Sequence, residues 1–287
     1  MFDSAPVQRA ITETSLAFKT EDGADLVGRL YRPTQRAFAA VVLNSATGVP
    51  QTFYTHFARW LASERGMAVL TYDYRGLGRS NAGPLRKVTA DMSDWGIRDQ
   101  VAARRAMRRE VPDTPLWIIG HSLGAMLLPN QPELDDVVRV IGVASGKVHH
   151  HDHPWPYRAL ALNFWFTIGP LATLLCGYLP GRALRIGEDL PADVFWQWRK
   201  WCTSRAFYDA DIGPRLPAPN WQSDAKVRLH AFSDDDLIPP AQVGQLADVF
   251  GTKAIVIDPK DHGLSKVGHL GAFSRKNRAI WPVLLEG

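Results

Sequence analysis

The stretch LWIIGHSLGAMLL, residues 116–128, constrains this chain more than any other part of its sequence. A short apolar run without alternation reads as a strand covered on both faces, and the residues after Ser122 can open a helix. Ser122 therefore falls on a sharp strand-to-helix turn within Gly120-His121-Ser122-Leu123-Gly124, a G-x-S-x-G pattern. Small residues are needed at Gly120 and Gly124 because the backbone is strained there and the two elements pass close together. Such a turn lifts the Ser122 hydroxyl above the carboxyl edge of a sheet, where open α/β folds bind ligands. The competing reading, a glycine-rich turn with an idle serine, does not explain the strand and helix on either side.

The surrounding rhythm agrees. LAFK and LVGRLY alternate like half-buried strands around the turn signal Glu21-Asp22-Gly23. Buried strands are expected at 39–44, 67–72, 116–119, 137–144, 227–232 and 253–257, with helices at about 53–65 and 91–110. Strands separated by helices imply right-handed crossovers and a mainly parallel sheet. Arg104, Arg105, Arg108 and Arg109 gather near the end of the 91–110 helix, where cations complement the helix dipole, and they read as a solvated face.

Between residues 146 and 222 the rhythm stops. Tryptophan, proline and long apolar pieces take over, which marks an inserted cap on a core formed by residues 1–145 and 223–287. The cap tryptophans are expected to line an apolar acyl pocket, to form the cap's own core, or both. Within the insert, residues 159–181 approach the ~20 apolar residues of a membrane span. Asn163 and Gly169-Pro170 interrupt that run in its middle, so a buried or lid-forming helix pair is expected rather than a span, and no membrane association.

A serine hydroxyl is a weak nucleophile until a base removes its proton, and the base must be held by an acid. Both follow Ser122 in the order Ser, acid, His. After the strand KVRLHAF comes Ser233-Asp234-Asp235-Asp236-Leu237-Ile238-Pro239, in which Asp235 is the expected acid, with Asp236 and then Asp234 as alternatives. Three acids after a strand can also simply cap the next helix. The base is His269 or His262, both beyond the last strand. The oxyanion of acyl transfer needs preorganised N–H donors. These are expected from the amide of Leu123 and from the loop after 39–44, at Thr47 or alternatively Ala46.

Asp73-x-Arg75-Gly76-x-Gly78-x-Ser80, the serine turn, the acid turn and the late histidine together resemble the α/β-hydrolase superfamily across nearly the whole chain. The implied fold is a mainly parallel eight-stranded sheet flanked by helices, with an inserted helical cap. More narrowly, Ala46-Thr47-Gly48-Val49-Pro50-Gln51, Tyr72-Asp73-Tyr74-Arg75-Gly76 and Gly268-His269-x-Gly271-x-Phe273 resemble a bacterial group of predicted hydrolases related to serine aminopeptidase-like enzymes. In that group the Gly-His histidine is the base, which implies His269. The chain departs from the commonest superfamily pattern in having Asn44-Ser45-Ala46-Thr47-Gly48 where His-Gly usually precedes the oxyanion donor. The site residues imply a serine hydrolase forming an acyl-enzyme, and the tryptophan-rich cap points to a carboxylic ester or thioester bearing an apolar portion as its small-molecule acyl substrate. The same residues could serve amide or peptide cleavage or acyl transfer, and an inactive ligand-binding protein on this fold is the alternative outside enzymes.

Composition narrows the partners. The 33 basic and 29 acidic side chains are too evenly balanced to argue for nucleic acid. Cys176 and Cys202 have no spacing that suggests a disulfide framework or a metal site. The opening residues MFDSAPVQRAITETS contain no apolar stretch of signal-peptide type, so a cytoplasmic protein without cofactor or metal is expected. His149, His150, His151 and His153 read as a surface or pH-sensitive loop, because consecutive histidines do not converge on one ion.

Overall fold

The computed structural model describes residues 9–286; most of the opening segment MFDSAPVQRAITETS lies outside them. Among the described residues ten strands occur, in chain order: β1 (Ile11–Lys19), β2 (Asp25–Pro33), β3 (Ala40–Asn44), β4 (Ala68–Tyr72), β5 (Leu116–His121), β6 (Val137–Val143), β7 (Tyr178–Leu179), β8 (Leu190–Pro191), β9 (Lys226–Phe232) and β10 (Ala254–Ile257). Eight of them form one sheet in the order β1-β2-β4-β3-β5-β6-β9-β10, and β7 and β8 pair separately. The hairpin β1–β2 is antiparallel and joins β4 antiparallel, while every pairing from β4 to β10 is parallel.

The apolar runs become central strands because both faces are covered. In β3 and β4 every residue is buried. Side chains alternate across the sheet, so Val42, Leu70 and Ile118 join one apolar cluster while Val41, Val69 and Ile119 join the other. Helices Gln100–Glu110 and Pro240–Val249 pack into the first cluster, and Thr55–Ser63 and Ile280–Leu285 into the second. Parallel strands all end at one edge of such a sheet, and the loops after β3, β5, β9 and β10 meet there.

Two expectations are corrected. The arginines of the 91–110 helix are not a uniformly solvated face. Arg104 is buried and its guanidinium donates to Gln131 and to the Pro132 carbonyl, while Arg105 and Arg108 pair with Glu133 and Asp136. Buried guanidinium must be hydrogen-bonded, and the loop after the serine turn supplies the acceptors. The apolar run in the insert is not a buried helix pair either. Tyr157–Cys176 is helical throughout, with a π-helical turn at Phe164–Ile168 ahead of Gly169 and Pro170. The wider turn accommodates a proline that has no N–H to give, so the helix continues where a break is expected. Only 22% of its most apolar window is buried.

Candidate active site

Strand β5 ends at His121 and the helix Leu123–Met126 begins one residue after Ser122. Ser122 has φ 54° and ψ −115°, a conformation that costs a side-chain-bearing residue on the order of 1–3 kcal/mol. Neighbouring bonds hold it there. The Ser122 N–H donates to the Val143 carbonyl at 2.9 Å, and the Ser145 hydroxyl donates to the Ser122 carbonyl. A Cβ on Gly120 would lie 2.4 Å from the Gly124 carbonyl carbon, and one on Gly124 would lie 2.3 Å from the Asn44 oxygen. Both glycines are therefore required by backbone approach, as the sequence pattern implies.

The loop after β9 carries the candidate acid. Asp235 is buried, and its Oδ1 accepts the N–H groups of Leu237 and Ile238 at 2.9 and 3.0 Å. Its Oδ2 lies 2.9 Å from His269 Nδ1. Two amide bonds fix the carboxylate, and the carboxylate fixes the imidazole, leaving His269 Nε2 without a hydrogen bond to any described residue. Asp234 acts on the backbone instead. Its two oxygens accept the N–H groups of Val267 and Gly268 at 2.8 and 2.9 Å, tying down the turn that carries His269. Asp236 is exposed. His262 sits in the short 3-10 turn Pro259–His262 and makes no side-chain bond among the described residues. Of the two candidate histidines, only His269 is joined to the acid.

Ser122 and His269 are linked through His121, the residue that precedes the serine. His121 is buried, its Nε2 lies 2.9 Å from the His269 carbonyl, and its ring centroid is 5.1 Å from that of His269. A carbonyl only accepts, so His121 Nε2 carries the proton and Nδ1 is the acceptor. That acceptor receives the Tyr54 hydroxyl at 2.8 Å, and the same hydroxyl accepts the Ala46 N–H at 3.0 Å. Burial, with His269 close by, holds His121 well below the ordinary histidine range and keeps the ring neutral. Ala46, Tyr54, His121 and His269 are thus strung on one chain of hydrogen bonds.

This chain separates the two candidate donors in the loop after β3. The Ala46 amide is taken by Tyr54, whereas neither the Thr47 nor the Leu123 amide has a backbone or side-chain acceptor among the described residues. Thr47, Ser122 and Leu123 line one cavity of about 430 Å³, within the range of small-molecule sites. Most of its wall is apolar and comes from segment 146–222, including Tyr157, Leu160, Phe164, Trp165 and Trp198. The tryptophans of that segment divide: Trp165 and Trp198 reach the cavity, Trp201 is buried with its indole N–H 2.6 Å from Asp211, and Trp155 is exposed.

The Asp73–Ser80 motif, which read alone is only a turn, has a supporting part. Asp73 is buried, and its carboxylate accepts the Gln51 N–H and side-chain amide, each at 2.8 Å, and the Arg79 N–H at 2.9 Å. It thereby clamps the loop after β4 to the segment that follows Thr47. A Cβ on Gly78, at φ +48°, would lie 2.5 Å from that carboxylate. Arg75 reaches Asp99 and Asp22, which closes the same loop against the β1–β2 turn. Of the histidine cluster, the rings of His149 and His150 lie tilted at 46° with centroids 4.0 Å apart, and His153 Nδ1 faces the Asp236 carbonyl at 3.1 Å beside the cavity.

A strained serine at the mouth of an apolar cavity, a carboxylate-held imidazole anchored to the adjacent residue and two unpaired amides are the parts nucleophilic acyl transfer requires. The fold and this arrangement define an α/β hydrolase. The model of the alpha/beta hydrolase family matches residues 40–277, and the chain belongs to that family. Human monoglyceride lipase is 26% identical over 106 residues, a match spanning 37% of this chain and 34% of that protein. Among solved structures, an esterase of Pyrococcus furiosus aligns with a TM-score of 0.59 at 14% identity, covering 99% of this chain and 92% of the other. Mouse alpha/beta hydrolase domain-containing protein 10 aligns at 0.57 and 14%, covering 95% and 96%. At these identities the structural likeness establishes the fold.

Proposed function

We propose that the protein is a serine hydrolase that cleaves a carboxylic ester or thioester with an apolar acyl portion through an acyl-enzyme. The observation that carries the reading is the Asp235–His269 pair at 2.9 Å, with the His269 carbonyl bonded to His121, the residue that precedes Ser122. In this reading the Ser122 oxygen attacks the carbonyl carbon and its proton passes to His269 Nε2. Asp235 keeps the resulting imidazolium oriented and stabilised. The carbonyl oxygen, now negative, is received by the Leu123 and Thr47 amides. The leaving alcohol or thiol takes the proton from His269, and water, deprotonated by the same ring, releases the acid.

The apolar preference rests on the cavity wall beside Ser122, where an alkyl or aryl chain gains burial energy and a charged one loses hydration. Segment 146–222 acts here as the cap over that cavity. A fluorophosphonate probe is expected to label the protein at Ser122, and Ser122→Ala to lower hydrolysis of an apolar ester by ~10³-fold or more. Absence of labelling in folded protein, with an unchanged ester rate in Ser122→Ala, rejects the reading. Loss of activity in His262→Ala but not in His269→Ala would overturn the assignment of the base.

A further inference from the structure

We infer that the helix Tyr157–Cys176 is a docking surface for an anionic lipid bilayer, on which it lies flat with the cavity mouth facing the lipid. The helix shows two faces. Ala161, Trp165, Gly169 and Thr173, four residues apart, are buried against the protein. On the other side Leu160, Ile168, Leu171, Leu174 and Leu175 are exposed, Leu175 by 85%. Most of the large apolar side chains left exposed among the described residues fall between Trp155 and Ile186. A solvated monomer surface seldom concentrates them in this way.

Charge identifies the occupant. No acidic residue occurs between Asp152 and Glu188, whereas Arg158, Arg182 and Arg185 do. Arg182 is occupied by Glu188, and Arg158 by the carbonyls of His151 and His153, but other cations border the stripe. The Arg199 guanidinium lies 5.4 Å from the Phe166 ring centroid, and a Cβ on Gly177, at the end of the helix, would lie 3.3 Å from the Cβ of Arg86. Arg86 and Arg185 are exposed. An apolar stripe with a cationic border fits the interface of an anionic bilayer. A second copy of this chain would bring the same cations against one another across a twofold axis. The helix does not span, because its inner face is fixed to the protein, as by Arg199 Nε bonded to the Trp165 carbonyl at 2.6 Å.

The patch is continuous with the cavity: Leu160, Ile168 and Ile186 are exposed and also line its wall. Resting on the hydrolase reading above, the docked protein would draw a lipid ester from the bilayer into the cavity without passing it through water. Flotation of the full-length protein with vesicles tests the docking separately from the chemistry. The chain is expected to float with vesicles of equal parts phosphatidylglycerol and phosphatidylcholine, and less with phosphatidylcholine alone or in high salt. In Leu171→Glu/Leu175→Glu, whose altered side chains lie outside the cavity wall, the floating fraction falls about tenfold or more. That variant keeps the wild-type rate on a short water-soluble ester, and Ser122→Ala floats like the wild type. If the vesicles bind but no ester is cleaved, the docking stands and the hydrolase reading fails. Wild-type protein that stays in the soluble fraction with both vesicle types overturns the docking, as does a dimer in sedimentation that the double substitution dissociates.

Discussion

Tyr54 touches the loop that carries one end of the site and the residue that carries the other. Its hydroxyl accepts the Ala46 amide, one residue before Thr47, and donates to His121, which in turn holds the carbonyl of His269. Tyr54→Phe keeps the ring and its edge-on packing against Phe273 but leaves a buried amide and a buried ring nitrogen unpaired. Each unpaired group costs about 1–3 kcal/mol, so the folded state is expected to weaken while remaining populated. Under the proposed mechanism, in which Thr47 is a donor and His269 the base, the positioning effect is larger on turnover than on binding: with both loosened, kcat is expected to fall roughly tenfold with KM little changed, a fraction of what losing a whole oxyanion donor costs. A kcat/KM profile that drops only through KM would contradict this positioning role. His121→Asn, which can donate but not in the same line, is expected to share the kcat loss.

At the scale of elements, the strand, serine and helix of the central turn are legible in the sequence because each is written locally. Hydrophobic run, Gly-x-Ser-x-Gly and a small-residue helix start all fall within residues 116–126. The ordering of Asp235 and His269 is legible for the same reason: each lies in the loop that follows one of the last two strands. The Tyr54–His121 bond joins positions 67 apart, and the Asp234 clasp on Val267 spans 33, so neither leaves a periodic trace in the sequence. The choice between Ala46 and Thr47 likewise depended on which amide a distant hydroxyl occupies. The continuity of helix 157–176 was hidden because proline and glycine read as breakers unless a π-helical turn absorbs them. The crossing of strand and helix at Gly120 and Gly124 yields a sharp expectation. A methyl on Gly124 would lie 2.3 Å from the backbone oxygen of Asn44 at the end of β3, which cannot swing away as a side chain would, so Gly124→Ala destabilises by ~3 kcal/mol, at the upper end for overpacking, measured as a shift of the urea midpoint. An unchanged midpoint with retained labelling of Ser122 would show that the elements can part.

The whole sheet closes around histidines that must stay neutral. His230, on β9 between β6 and the edge strand β10, is buried with only a weak contact to the Leu284 backbone, and burial pushes its pKa down to about 4. His121 at the end of β5 is shifted in the same direction, by burial and by His269. Both groups take up a proton in the unfolded chain near pH 6.5 but not in the fold. The unfolded state therefore binds more protons as pH falls below 6.5, and stability drops with it. The contribution is fully present above that pH and is lost progressively down to about pH 4 for His230, up to roughly 3 kcal/mol for that residue alone. His230→Leu removes the titrating group and two poorly satisfied nitrogens while keeping an apolar side chain in the core. Urea midpoints measured from pH 7.5 to 5 are expected to fall more steeply for the wild type than for His230→Leu, with the variant the more stable of the two at pH 5. Parallel curves would mean that His230 takes up its proton equally in both states, and the acid sensitivity of the molecule would then lie with its carboxylates.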